Sequence, residues 1–373
     1  MRTLDQIMPD MDFDLVFFMA TLMLLVMGTV MIFSSSYFIS KEVYDDSFAM
    51  IGKHLFHLGA GVAVMGYLVR TDYRKFNTRF FVLAALVAGI IACILCFVPG
   101  IGVTGGHARR WIRVPFLTVQ ASEIMKISLI FYLAYSLCKK TRKIQNYRYG
   151  VLPVLTIVGI SALLILVEPD FGTAATIGIW SFFILFIAGM RIRHLVLTLL
   201  AILPAGIIMM ILEPYRRARL LAFINPWEDM HGIGYQSVQS MVALASGGIF
   251  GSGLGEGTQK LFFLPAPHTD FIFSVLGEEL GFLGILFIVA LFGFWIWRGY
   301  TIAMATNDDF GFLLVVSAVS LIGLQAVVNM GVAMSVFPTT GISLPFFSYG
   351  GSSLVTAMAA SGIVLSVSRR ARL

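Results

Sequence analysis

Apolar runs of about 17 to 25 residues recur along nearly the whole chain, separated by short polar segments. Runs of that length suit helices that cross a bilayer; the strands of an outer-membrane barrel are shorter and alternate. Ten spans are expected, near residues 13–33, 54–69, 80–98, 121–138, 151–167, 172–189, 195–212, 271–297, 311–334 and 352–368. An even number puts both termini on one side. Sixteen Lys and Arg residues fall on that side and 9 in the opposite loops, so both ends are expected in the cytoplasm. The first run is long enough to span, and only one Arg precedes it, so it is not read as a cleavable signal. The pattern therefore predicts an all-α integral membrane protein, one polytopic domain over residues 1–373, with a large extracytoplasmic loop at 213–270 between the seventh and eighth spans. That loop is too long and apolar for a plain linker, and a short amphipathic or re-entrant helix is expected around Tyr235 to Leu244.

Composition agrees. Hydrophobic residues make up 58% and charged residues 12%, whereas a soluble domain carries roughly 25% charged. The net charge of +6 could suit nucleic acid, but the basic residues are scattered among short loops, and topology accounts for them. No nucleic-acid partner is expected. Cys93, Cys96 and Cys138 lie in or beside apolar helices and read as packing residues. The glycines from Gly247 to Gly257 form a turn-rich segment without the lysine of a P-loop.

Candidate chemistry gathers on the outer side. His268, Thr269 and Asp270 follow Pro265 and Pro267, which hold the approach extended, so Asp270 falls near the start of the eighth span. An aspartate there is equally an N-cap. Six of the nine outer cations form two clusters, Arg109, Arg110 and Arg113 beside Trp111, and Arg216, Arg217 and Arg219. Clustered arginine on the disfavoured side calls for an anion such as a phosphate, or anchors lipid headgroups. Glu123 and Lys126 share a face of the fourth span; a charge at mid-membrane costs about 2.5 to 3.5 kcal/mol, so the pair is either functional or a tether between helices. Ser348 and Tyr349 enter the last span through small residues and could offer donors to a substrate or only a close helix contact. Glu278 and Glu279 lie about 12 to 14 Å down the helix from Asp270 and read as helix packing. Gln325 and Asn329 read as hydrogen-bonding glue between helices. His54 and His57 alone are weak evidence for a metal. Together the parts suit transfer from a lipid-linked phosphate donor, with a carboxylate base and cations on the leaving group. A transporter of an anionic lipid would use many of the same cations.

The segments ARRWI, QASEIMK, EPDFGTA, SGGIFGSGLG, HTDFIFSVLGEELGFLG and LPFFSYGGSS, in that order from about residue 105 to the carboxyl end, resemble the SEDS proteins of bacteria (shape, elongation, division and sporulation). INPWED, QKLFFLP and PDFGTA are closer to the FtsW branch than to RodA, and a sporulation paralogue is similar. The resemblance implies a peptidoglycan glycosyltransferase that polymerises lipid II on the outer face of the bacterial cytoplasmic (inner) membrane and releases undecaprenyl pyrophosphate. It implies work with a class B penicillin-binding protein (FtsI-like) and other divisome membrane proteins. Asp270 matches the family's proposed base. Arg110 and Trp111 match its Arg-Trp, and Ser122, Glu123 and Lys126 its Ser-Glu-x-x-Lys. Arg109, Arg216, Arg219, His268, Ser348 and Tyr349 complete the expected substrate-binding set. A divalent cation, Mg or Mn, is a family-level expectation that nothing in the residues demands, with Glu123 and Asp270 as its candidate ligands. A flippase for lipid II and a non-enzymatic division scaffold are the competing readings.

Overall fold

The computed structural model describes residues 13–105, 108–114, 117–140, 143–230, 232–261 and 263–371. The amino-terminal segment, Arg2, Arg142 and Arg372 of the charge count, and the side chain of Arg216 lie outside the described residues. Twelve α-helices occur among the described residues: α1 (Leu15–Tyr44), α2 (Ala49–Arg70), α3 (Arg79–Leu95), α4 (Ala121–Cys138), α5 (Leu152–Val167), α6 (Phe171–Ile187), α7 (Ile192–Leu212), α8 (Pro214–Ile224), α9 (Tyr235–Ser246), α10 (Ile272–Met304), α11 (Asp309–Ala333) and α12 (Gly351–Ser368). Seven helical segments are long and apolar enough to cross a membrane, and α3 and α6 are shorter apolar helices. This is a multi-pass membrane protein. Helix α9 falls where a short helix is expected in the long loop, and α8 is a further helix before it.

Packing follows from where small and polar residues interrupt the apolar surface. Helices α4, α11 and α12 are buried over most of their surfaces and form the centre of the bundle. Helix α2 lies against α12 closely enough that a Cβ on Gly362 would sit 3.0 Å from the Met65 backbone; small residues permit such approach. Buried indoles supply cross-ties, Trp180 Nε1 donating to the Ser317 carbonyl at 3.0 Å and Trp295 Nε1 to Thr21 Oγ1 at 2.9 Å. Asp14 caps α1 through the Phe17 amide at 2.7 Å and binds Arg298 of α10 at 2.5 Å. Most of α7 is exposed; in a bilayer that surface meets lipid.

The structure departs from an all-α fold at one place. Between α3 and α4 the chain forms a three-stranded antiparallel sheet, β1 (Gly102–Gly105), β2 (Ala108–Val114) and β3 (Leu117–Gln120). Val, Ile, Thr and Trp here favour a pleated surface, and the flanking Gly and Pro punctuate it. The β1–β2 register pairs Val103 with Trp111 and Thr104 with Arg109, leaving Arg110 as an extra residue in β2. Such a bulge bends its strand and re-aims a side chain.

The long loop is fastened to α10. Gly281 takes φ 67° and ψ −168°, which breaks the helix there. The glycine-rich strap covers the break: the Ser252 and Gly253 amides donate to the carbonyls of Glu278 and Glu279 at 2.9 and 3.0 Å, and the Phe282 amide donates back to Gly248 at 2.9 Å. A Cβ on Gly251 would lie 2.2 Å from the Glu279 carbonyl oxygen, so only glycine permits the approach. The expectation that Glu278 and Glu279 serve helix packing is corrected. Glu278 accepts from the Thr258 amide at 2.7 Å and the Gln259 amide at 3.1 Å, while Glu279 pairs with Lys260 at 2.6 Å and accepts from Ser34 Oγ at 2.6 Å. Both carboxylates are buried; they hold the strap, and Glu279 also holds Ser34 of α1.

Candidate active site

Asp270 ends the strap and precedes α10, yet its carboxylate does not cap that helix. The N-cap position is Phe271, and no side chain makes a cap bond there. The carboxylate is thus not spent on helix ends. Its surroundings are built by four other parts of the fold. The β2 bulge brings in Arg110, whose Nη1 lies 3.5 Å from Asp170 Oδ2. Asp170 itself caps α6 through the Thr173 amide at 3.1 Å. Helix α8 presents Arg219, whose Nη1 donates to the Thr339 carbonyl at 3.0 Å. The loop after α11 supplies Gly341 at φ +74°; a Cβ there would lie 3.8 Å from Asp270 Oδ2 and 3.9 Å from Arg110 Nη1. Carboxylate and guanidinium therefore converge over a residue that keeps the space between them clear.

Burial pushes the Asp270 carboxyl above the ordinary carboxylate range; the Arg110 and Arg219 guanidiniums pull it back, and the Asp170 charge raises it. A carboxylate so placed is a stronger base than an exposed one. Burial lowers His268 to about 4, so its ring is neutral at pH 7 and brings no positive charge. That ring meets Tyr349 edge-on at 5.7 Å. Ser348 Oγ donates to the Thr269 carbonyl at 2.6 Å and accepts from the Leu344 amide at 2.7 Å, which occupies the hydroxyl expected to face a substrate.

The other expected residues lie on β2 and at the start of α4. Arg109 is exposed on β2 and Trp111 is half-buried. Glu123 and Lys126 form a buried pair at 2.7 Å in the first turns of α4, with Ser122 Oγ and Glu123 Oε2 left without a hydrogen-bond partner. Among the described residues, no three His, Cys, Asp or Glu side chains converge as metal ligands. Glu123 Oε1 accepts from Lys126 Nζ at 2.7 Å.

Residues 14–373 match the model of a family described as cell cycle protein, FtsW/RodA/SpoVE. The chain belongs to this family. It is 41% identical over 358 residues to a probable peptidoglycan glycosyltransferase FtsW of Geobacter metallireducens, covering 96% of this chain and 95% of that one. It is 40% identical over 359 residues to stage V sporulation protein E of Bacillus subtilis, covering 96% and 98%. Among solved structures it is similar to a chain from a study of structural coordination of polymerization and crosslinking by a peptidoglycan synthase complex, with a TM-score of 0.78, 28% identity and coverage of 96% and 98%. It is also similar to the rod shape determining protein RodA of Thermus thermophilus, with a TM-score of 0.68, 26% identity and coverage of 97% and 98%.

For this FtsW/RodA/SpoVE member, sequence reasoning gave no role to Asp170, Glu168, Gly341 or the Asn329 link to the Asp270 loop. Asp170 had a signal: an acidic residue after Pro169 and just before an apolar run is an N-cap pattern at a span edge. Glu168 is fully buried, and burial pushes it up to about 8; Cys93 and the Arg110 charge lower it and the Asp170 charge raises it.

Proposed function

We propose that this protein polymerises lipid II into β-1,4 glycan strands, in an FtsW-like role in cell division, with Asp270 as general base. The observation that carries the reading is the Asp270 carboxylate, uncapped, raised in basicity by burial and set beside the Arg110 and Arg219 guanidiniums. The name of a relative, probable peptidoglycan glycosyltransferase FtsW, supports the same activity. In the reaction, Asp270 takes the proton from the 4-hydroxyl of an acceptor GlcNAc. The freed oxygen forms a bond to the anomeric carbon of the donor MurNAc as the bond from that carbon to the phosphate oxygen breaks. Attack from the opposite face converts the α-linkage to β, and undecaprenyl pyrophosphate leaves. Arg110 and Arg219 neutralise its charge, and Glu123 orients Lys126 toward the same anion. No step is routed through a divalent cation.

In this reading α1 to α7 and α10 to α12 make ten spans in the bacterial cytoplasmic membrane, with both termini in the cytoplasm and residues 213–270 on the outer face. A class B penicillin-binding protein acts beside it as transpeptidase, in keeping with a similar chain that comes from a peptidoglycan synthase complex. A second reading, a lipid II flippase, draws on the buried Glu123 and Lys126 pair. Glycan synthesis from fluorescent lipid II by the purified protein, with a transpeptidase-blocked partner present, tests the proposal: wild type makes long chains and Asp270→Asn falls to a residual rate. Full polymerisation by a folded Asp270→Asn variant would remove the base; silence of both proteins, with lipid II translocation in vesicles, would favour the flippase.

A further inference from the structure

Three consecutive backbone carbonyls leading to the proposed base are each held by a donor from another part of the fold. The Tyr349 amide donates to the His268 carbonyl at 2.7 Å, Ser348 Oγ to Thr269 at 2.6 Å and Asn329 Nδ2 to Asp270 at 2.9 Å. Asn329 Nδ2 also donates to the Ile342 carbonyl at 2.8 Å. One side chain of α11 therefore ties the Asp270 main chain to the loop that carries Gly341, over which Asp270 and Arg110 converge. Asn329 is 1% exposed, so water has no ready access to replace it. Two carbonyl oxygens facing one nitrogen also fix which end of the amide points at them.

We infer that Asn329 is a positioning residue for Asp270, setting the carboxylate against the Arg110 guanidinium without touching substrate. The inference rests on Asp270 being the base. Removing the amide frees the Asp270 and Ile342 carbonyls together, the tie nearest the carboxylate, and a base displaced by about 1 Å costs about 100-fold in rate. The loss falls on turnover, because the groups assigned to bind the donor are left in place.

The test is steady-state polymerisation of fluorescent lipid II by the full-length protein with its partner, comparing Asn329→Ala, Asn329→Asp, Asp270→Asn and the Asn329→Ala/Asp270→Asn double variant. Asn329→Ala lowers kcat by about 100-fold with KM within about twofold. Asn329→Asp does the same, since a carboxylate cannot donate to two carbonyls. In the Asp270→Asn background, adding Asn329→Ala changes the residual rate by less than about twofold, because the residue acts through the base. A monodisperse Asn329→Ala protein within about threefold of wild-type turnover overturns the inference, as does an undiminished further loss in the double variant. Should Asn329→Ala not fold, Ser348→Ala frees the neighbouring carbonyl and carries the same expectation and the same refutation. Full activity in Asp270→Asn overturns the base itself, which separates that failure from this one.

Discussion

Lys260 is 2% exposed and Glu279 1%, and the two form an ion pair at 2.6 Å that fastens the strap to α10 and α1. Replacing Lys260 by Met leaves the Glu279 carboxylate buried without its cation. Breaking a buried pair in this way costs about 3 to 5 kcal/mol. The carboxylate keeps hydrogen bonds from Ser34 Oγ at 2.6 Å and the Gly255 amide at 3.1 Å, which places the loss at the lower end, about 3 kcal/mol. That is roughly a 150-fold change in the folding equilibrium. The double variant Lys260→Met/Glu279→Met removes both charges and recovers most of the loss, because two buried apolar side chains need no partner. SDS titration of the purified protein in mixed micelles, read by tryptophan fluorescence, measures all four corners of the cycle. Equal destabilisation by the single and double variants would refute the reasoning, since it would mean that the pair contributes nothing beyond the packing of its side chains.

Gly281→Ala forces a side chain onto a φ of 67° and ψ of −168°, with its Cβ 2.3 Å from the Gly251 amide nitrogen. The same titration should show a loss of about 3 kcal/mol or more, and an unchanged midpoint would contradict the break in α10. Arg110→Gln removes a charge that lowers the Asp270 pKa. The base form is lost as pH falls through that pKa, so the acid limb of the polymerisation profile should move to higher pH; a move to lower pH would reverse the sign of the argument. Asp170→Asn keeps an equally good cap for α6 but removes the ion partner of Arg110. Stability should change by less than about 0.5 kcal/mol while turnover falls about tenfold, and parallel loss of both would show that capping is all Asp170 does.

The helices were legible because a bilayer demands long apolar segments, and the segments from Phe13 to Ser368 give little else to read. Asp270 was legible because two prolines isolate it before an apolar helix. What escaped was everything decided by distant pairing. Asp170 and Arg110 are 60 positions apart in the chain, and nothing local announces that a bulge in β2 turns one toward the other. Glu278 and Glu279 were judged against their own helix, where they have no side-chain partner, while their partners lie in α1, at Ser34, and in a strap that only Gly281 and Gly251 allow to approach. Asn329 reads as glue between helices because its position within α11 says nothing about which carbonyls it will meet. The sheet was missed because its short β-branched runs resemble the ends of neighbouring spans; the paired Gly and Pro punctuation was the available signal.

The donors that hold His268 and Thr269 come late in the chain, the Ser348 hydroxyl 79 residues after the carbonyl it binds. A ribosome therefore delivers the proposed base to the membrane well before the residues that fix it. Until Asn329, Ser348 and Tyr349 have all entered, a growing chain lacks one or more of the ties on residues 268–270, so the tethering of the proposed base is completed only with the last pair of helices.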